Sequence, residues 1–229
     1  LTLTLAIHPF VWANAAATID YLWALGFAFF GFSLLLRKRN LAAAIALGLA
    51  IGSRLSTVLL VMLIFAYLWW KQKGNRKQLV LCGFFTALIA ASLYLPALDF
   101  LEWDISRWLI LSTGDPNLWT FSLRLGRFGY KNLMFWSPPA TVWMVVIVIF
   151  TFFHSRNHVK SWGDGVVGLS LLIILCYEFL FYQAPIEMEY LLPILPFVLI
   201  LFGKALRAQP EYLLIFFILI LIANFIWIN

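Results

Sequence analysis

Three ionisable side chains, Asp20, Arg54 and Glu178, stand inside long apolar runs of this sequence. In hydrocarbon each costs from about 3 to more than 10 kcal/mol, so each needs a partner or a polar cavity. Asp20 lies near the start of its run, in Asn14-Ala15-Ala16-Ala17-Thr18-Ile19-Asp20-Tyr21, where water can reach it. Arg54 follows Gly52-Ser53 in the middle of the next run. If these two positions share a depth they pair, and Coulomb attraction offsets part of the burial cost. Such a pair is either a structural link between helices or a charged site. Glu178, in Cys176-Tyr177-Glu178-Phe179, reads as a structural carboxyl, protonated or bonded to a tyrosine. A fourth feature is polar: Arg124, Arg127 and Lys131 recur at i, i+3 and i+7, which stacks three cations on one helical face. That stripe suits a phosphate or pyrophosphate, or else lipid headgroups reached by snorkelling side chains.

The elements that position these groups follow from composition. Of the 229 residues 64% are hydrophobic and 11% charged, and the mean hydropathy is +0.95. An ordinary soluble domain carries about 25% charged residues, so this is one membrane domain and its fold class is all-α. At about 20 apolar residues per crossing the chain is a polytopic bundle of about six to eight transmembrane helices. Apolar runs bounded by charges are Thr18 to Leu36, Leu41 to Trp70, Leu79 to Leu98, Ala140 to Phe153, Val166 to Tyr182, Tyr190 to Leu206 and Tyr212 to Trp227. The chain opens on Leu1-Thr2-Leu3-Thr4-Leu5, which reads as an apolar segment already under way, so a preceding portion is expected.

The second run is too long for one simple crossing and too short for two full ones. Arg37, Lys38 and Arg39 precede it, and Lys71, Lys73, Arg76 and Lys77 follow, so both of its ends belong on the cytoplasmic side. Two shortened helices broken near Gly52-Ser53-Arg54 satisfy both constraints, with a single strongly tilted crossing as the alternative. With that break the remaining loops alternate. Arg156, Lys160, Lys204 and Arg207 fall on the cytoplasmic side, and Asp99, Glu102, Asp104, Asp115, Glu187 and Glu189 on the other, with Arg107 and the Arg124, Arg127, Lys131 group. The net charge of +6 is then a topology signal, which leaves no basis for nucleic-acid binding. Trp69, Trp70, Trp136 and Trp162 sit where interfacial anchors belong.

The longest extramembrane stretch runs from about residue 99 to 137. Leu101, Ile105, Trp108 and Leu109 begin it at helical spacing, as an outer interfacial helix would, and Thr113-Gly114-Asp115-Pro116-Asn117 marks a turn. Cys82 and Cys176 lie within apolar runs and suggest neither a disulfide framework nor a metal site. His8, His154 and His158 lack the acids or thiols of a metal site. No phosphate loop, dinucleotide fingerprint or nucleophile elbow is present, so no cofactor is expected.

Three stretches together resemble a known family. Pro9-Phe10-Val11-Trp12 with Thr18-Ile19-Asp20-Tyr21, then Leu47-Gly48-Leu49-Ala50-Ile51-Gly52-Ser53-Arg54, then Glu189-Tyr190-Leu191-Leu192-Pro193-Ile194-Leu195-Pro196 are similar to the GT-C membrane glycosyltransferases of the dolichyl-phosphate-mannose protein mannosyltransferase type. The resemblance implies transfer of a sugar from a polyprenyl-phosphate donor to a glycan, lipid or protein acceptor, on the non-cytoplasmic face of the bacterial cytoplasmic membrane. It aligns the family's outer carboxylate with Asp20 and its Tyr-x-x-Pro-x-x-Pro helix start with Tyr190, Pro193 and Pro196. Many relatives carry Arg where this chain has Glu189, and the family's acidic catalytic motif falls before Leu1. On this reading Asp20 is the catalytic carboxylate or its support. Arg54, Arg124, Arg127, Lys131, Glu189 and Tyr190 bind the donor, with no metal. A transporter or lipid-carrier flippase is the alternative, because carriers also place charge at a broken helix.

Overall fold

The computed structural model describes residues 20–72, 74, 76–100, 102–104, 120–154, 165–183, 185 and 188–205, with isolated positions between 211 and 226. Among them are eight α-helices, one 3-10 helix and no strand. The stretches Pro9 to Ile19, Ile105 to Asn117, His158 and Glu187 lie outside the described residues. So does most of the Tyr212 to Trp227 run.

Two compact units divide the chain, one formed by Thr18–Asp115 and the other by Leu1–Ala17 with Pro116–Asn229. The first holds α1 (Asp20–Leu36), α2 (Asn40–Ser53), α3 (Thr57–Lys71) and α4 (Arg76–Phe100). Helix α1 stops because Lys38 turns left-handed at φ 59°. Its N–H then reaches Leu35 O at 3.0 Å, while Arg39 N–H reaches Leu34 O at 2.9 Å. This is the paired closing bond that glycine usually provides. Helix α4 ends in the same way, with Glu102 at φ 53° and bonds from Glu102 N to Asp99 O and from Trp103 N to Leu98 O.

The expected break in the second run is present. Helix α2 ends at Ser53, Arg54 is extended at φ −155° and ψ 121°, and α3 begins at Thr57. Contacts set the direction of each helix. Gly31 of α1 abuts Leu47 of α2, and Asp20 meets Arg54, so α1 and α2 are antiparallel. Asn40 bonds Gln78, Gly48 abuts Ile89 and Ile51 bonds Tyr94, so α2 and α4 run parallel. Helix α3 must therefore return from the level of Arg54 to that of Asn40. Among the described residues of this unit, Arg37, Lys38, Arg39, Lys71, Arg76 and Lys77 gather at one end. Asp20, Asp99, Glu102 and Asp104 gather at the other.

Helix α2 is central, packed against both α1 and α4, and small residues make that possible. Ala43, Ala44, Ala46, Gly48 and Ala50 are buried on it, and Leu79, Cys82, Thr86 and Ala90 form the facing stripe of α4. A Cβ on Gly48 would lie 2.7 Å from Ile89 Cβ and 3.2 Å from the Thr86 carbonyl oxygen. Close backbone approach of this kind replaces hydrophobic drive where the surroundings are as apolar as the side chains.

The second unit holds α5 (Phe121–Trp136), α6 (Pro138–His154), α7 (Gly165–Gln183), a 3-10 helix (Met188–Ile194) and α8 (Leu195–Ala205). Ser137, at φ 64° and ψ 146°, separates α5 from α6. Proline in the first turn of α6 costs no hydrogen bond and keeps Ser137 out of the helical region. Pro193 lies in the 3-10 helix and Pro196 in the first turn of α8. Ile173, Tyr177 and Phe181 of α7 join Leu191, Leu192 and Ile194 in a fully buried core.

Among the described residues two helices, α4 with 25 residues and α7 with 19, are long and apolar enough to cross a membrane. Helices α1, α2 and α3 and the segment Tyr190–Lys204 are apolar but shorter. Gly48→Leu is expected to force α2 from α4 and lower the melting temperature in detergent, at a cost of about 1–3 kcal/mol. Gly83→Ala, with nothing within 4 Å of the new methyl group, is expected to leave it unchanged or raise it, gaining up to about 1 kcal/mol of helix propensity.

Candidate functional site

The break between α2 and α3 builds a charged cluster. Ser53 Oγ donates to Leu49 O at 2.8 Å, a back-bond that loosens a helix, and glycine at 52 removes further helical preference. Arg54 N–H still reaches Ala50 O at 3.2 Å. Beyond it the backbone turns, and the next carbonyl, Ile51 O, accepts instead from the Tyr94 hydroxyl at 2.6 Å. Arg54 O and Leu55 O accept from Thr57 N and Val58 N, which starts α3 with a tight turn.

Turning the backbone at Arg54 directs its side chain to the start of α1. Arg54 Nη1 lies 3.0 Å from Asp20 Oδ1, an ion pair that is also a hydrogen bond. Arg54 Nη2 donates to the Tyr21 hydroxyl, and the guanidinium carbon lies 3.1 Å from the centroid of the Tyr21 ring. The Tyr21 ring is buried. Arg54 is 17% exposed and Asp20 45%, so the carboxylate is the accessible member and the cation is held beneath it. The pairing expected from the sequence is present; Tyr21 and Tyr94 were not foreseen as its supports.

The level of this cluster follows from helix lengths. Helix α2 rises about 21 Å over its 14 residues from the basic end. Helix α4 continues from Tyr94 to Phe100, a further rise of about 9 Å. The Arg54 turn is thus a step below the acidic end of α4.

A second polar cluster belongs to the other unit. The Arg124, Arg127, Lys131 spacing does lie on one helix, α5. Arg124 Nη1 donates to Gln183 Oε1 of α7 at 3.3 Å, and Asn132 Nδ2 donates to Glu178 Oε2 at 3.1 Å. Phe128 packs edge-on against Tyr182 between them. Glu178 therefore has an amide partner that the sequence did not reveal. Arg127 is exposed, whereas Arg124 and Lys131 are half-buried. Tyr190 is half-buried in the 3-10 helix, and Glu189 belongs to the same turn, its side chain outside the described residues.

Among the described residues no group of three or more His, Cys, Asp or Glu side chains is placed to hold a metal. Cys82 and Cys176 are free thiols, and Cys82 Sγ lies 3.3 Å from Asn40 O. No family model, curated protein or solved structure matches the chain.

Tyr94→Phe is expected to strand the Ile51 carbonyl in apolar surroundings, and the cost of such an unmet acceptor is about 1–3 kcal/mol. Thermal unfolding in detergent reads this loss directly. An unchanged melting temperature would show that the carbonyl has another partner.

Proposed function

We propose that this chain belongs to a multi-pass membrane glycosyltransferase that moves a sugar from a polyprenyl-phosphate donor to an acceptor at the acidic end of its first unit. The observation that carries the reading is the Asp20–Arg54 pair at the turn between α2 and α3. A lipid-phosphate donor needs a cation where charge develops on the departing phosphate and a carboxylate to orient or activate the acceptor. Asp20 and Arg54 supply both signs within 3.0 Å. Asp20 is the proposed catalytic carboxylate or its support, and Arg54 the proposed phosphate-binding group. Within the second unit by itself, Arg127, an exposed cation of α5, with Arg124, Lys131, Glu189 and Tyr190, is a separate proposed contact for a lipid-linked phosphate. The resemblance to GT-C transferases around Asp20, Arg54 and Tyr190 points the same way.

A membrane setting is supported by surface as well as composition. Only 22% of the most apolar stretch of α4 and 33% of that of α7 is buried. A core helix of a soluble protein would be mostly buried, whereas these leave Phe84, Leu88, Leu175 and Phe179 exposed. The segregation of basic residues to one end of the first unit is the pattern of cytoplasmic loops, and it supports the proposal that the Asp20 end faces the other side. Carriers build sites where a helix breaks and continues in its direction across the membrane. At Arg54 the chain turns back, which favours a transferase over a transporter or flippase.

In the full-length enzyme, Asp20→Asn preserves shape and removes charge, so turnover of a polyprenyl-phosphate sugar is expected to fall at least about tenfold, about 1.4 kcal/mol of barrier. Expression should change little. Turnover within about threefold of wild type, roughly 0.7 kcal/mol, would contradict the catalytic role.

A further inference from the structure

Helix α5 is amphipathic in the wrong sense for water. At about 100° per residue, Arg124, Phe128, Lys131, Asn132 and Phe135 share an arc of about 100°. That arc is the one turned to α7: Arg124 bonds Gln183, Asn132 bonds Glu178, and Phe128 packs on Phe181 and Tyr182. The remaining surface, which begins beside Asn132, carries Leu123, Leu125, Tyr130 and Leu133, all exposed, with exposed Ser122 among them. Among them lie Gly126 and Gly129, where an added Cβ would meet nothing within 4 Å. A helix on a water-facing surface buries its apolar stripe and shows its charges. This one turns Arg124 and Lys131 toward its neighbour and shows four apolar side chains, with Arg127 exposed at the border.

We infer that α5 is inserted into the acyl chains of one leaflet, with Leu123, Leu125, Tyr130 and Leu133 facing lipid and its Arg124–Asn132 face sealed against α7. The sequence places this stretch in an extramembrane loop whose cations anchor headgroups or bind phosphate. The observed polarity instead turns Arg124 and Lys131 toward α7, leaves Arg127 exposed at the edge, and makes hydrocarbon the medium that matches the leucine-bearing face. Lipid rather than a protein partner follows from continuity: α7 exposes Leu172, Leu175 and Phe179, and α6 exposes Val142 and Val145, so the apolar surface extends across neighbouring helices of the unit. Exposed glycines fit as well, being commoner in membrane helices than in soluble ones.

The contacts also set a slant. Arg124 meets Gln183 at the end of α7, whereas Asn132 meets Glu178, five residues back, or about 7.5 Å along the axis. Helix α5 therefore descends along α7 from its Gln183 end, and Leu133 lies deeper than Leu125. The Ser137 turn, followed by Pro138 and Pro139, falls below that, where α6 takes over.

Nitroxide labels at Leu125→Cys, Tyr130→Cys and Leu133→Cys, each in the full chain carrying Cys82→Ala and Cys176→Ala, test this in liposomes. Collisions with oxygen, which concentrates in hydrocarbon, are compared with collisions with a water-soluble nickel chelate. Oxygen is expected to dominate at all three sites, with the larger excess at Leu133. Dominance of the nickel chelate would return α5 to water and overturn the inference. Low collision rates with both reagents would mean that protein, a second copy included, covers the face, and would overturn it equally. Each site is exposed, so failure of one variant to fold leaves the others to decide. The result is independent of turnover and bears on α5 even if the proposed transfer reaction is wrong.

Discussion

The fold of the first unit depends on stopping a helix inside apolar surroundings. A helix end frees carbonyls that water would otherwise satisfy, and an arginine placed there needs a counter-charge. At Arg54 both demands are met by neighbours. Tyr94 reaches across from α4 to the Ile51 carbonyl, and Asp20 with Tyr21 receives the guanidinium from α1. These bonds tie the start of α1 and the end of α2 to each other and to α4 at Tyr94, so the turn and the charged cluster are one feature. Were the run continuous, Arg54 would sit mid-span with no reason to face Asp20.

Packing of the shafts supports that junction. Helix α2 can touch α1 and α4 at once only because Gly31 and Gly48 let side chains of the facing helix reach the backbone. The small-residue seam fixes the register that sets Tyr94 opposite Ile51 and Asp20 opposite Arg54. Charge placement is the third consequence of the same register. With α1 and α2 antiparallel and α2 and α4 parallel, basic residues gather at one end and acids at the other. The ion pair thereby lies toward the acidic end, a step below the last turns of α4.

Much of this was legible in the sequence, for identifiable reasons. The α2–α3 break was favoured by a run too long for one simple crossing with basic clusters at both ends. The Asp20–Arg54 pairing followed from two costly charges at similar depth. Helical spacing likewise gave the α5 stripe of Arg124, Arg127 and Lys131. What the sequence withheld depends on register between distant segments. Tyr94 is an unremarkable tyrosine in an apolar run until α4 is set beside α2, 43 residues away in the chain. Asn132 and Glu178 are 46 residues apart. Periodicity showed that cations share a face of α5 but carried no information about where that face points. A signal for the α2 seam was present: Ala44, Gly48 and Gly52 recur every fourth residue, the pattern by which membrane helices approach closely.

The central claim is that Asp20 and Arg54 act as one unit that holds the turn and the site together. A double-mutant cycle on stability measures this without reference to any substrate. Asp20→Asn, Arg54→Gln and the double variant would be unfolded in detergent alongside wild type. Groups in one hydrogen-bonded charge network show coupling of about 0.5–3 kcal/mol. With Asp20 45% exposed, the account predicts about 1 kcal/mol, toward the lower part of that range. Strictly additive losses, with coupling below about 0.3 kcal/mol, would mean that the two residues stabilise the turn independently and would contradict the account.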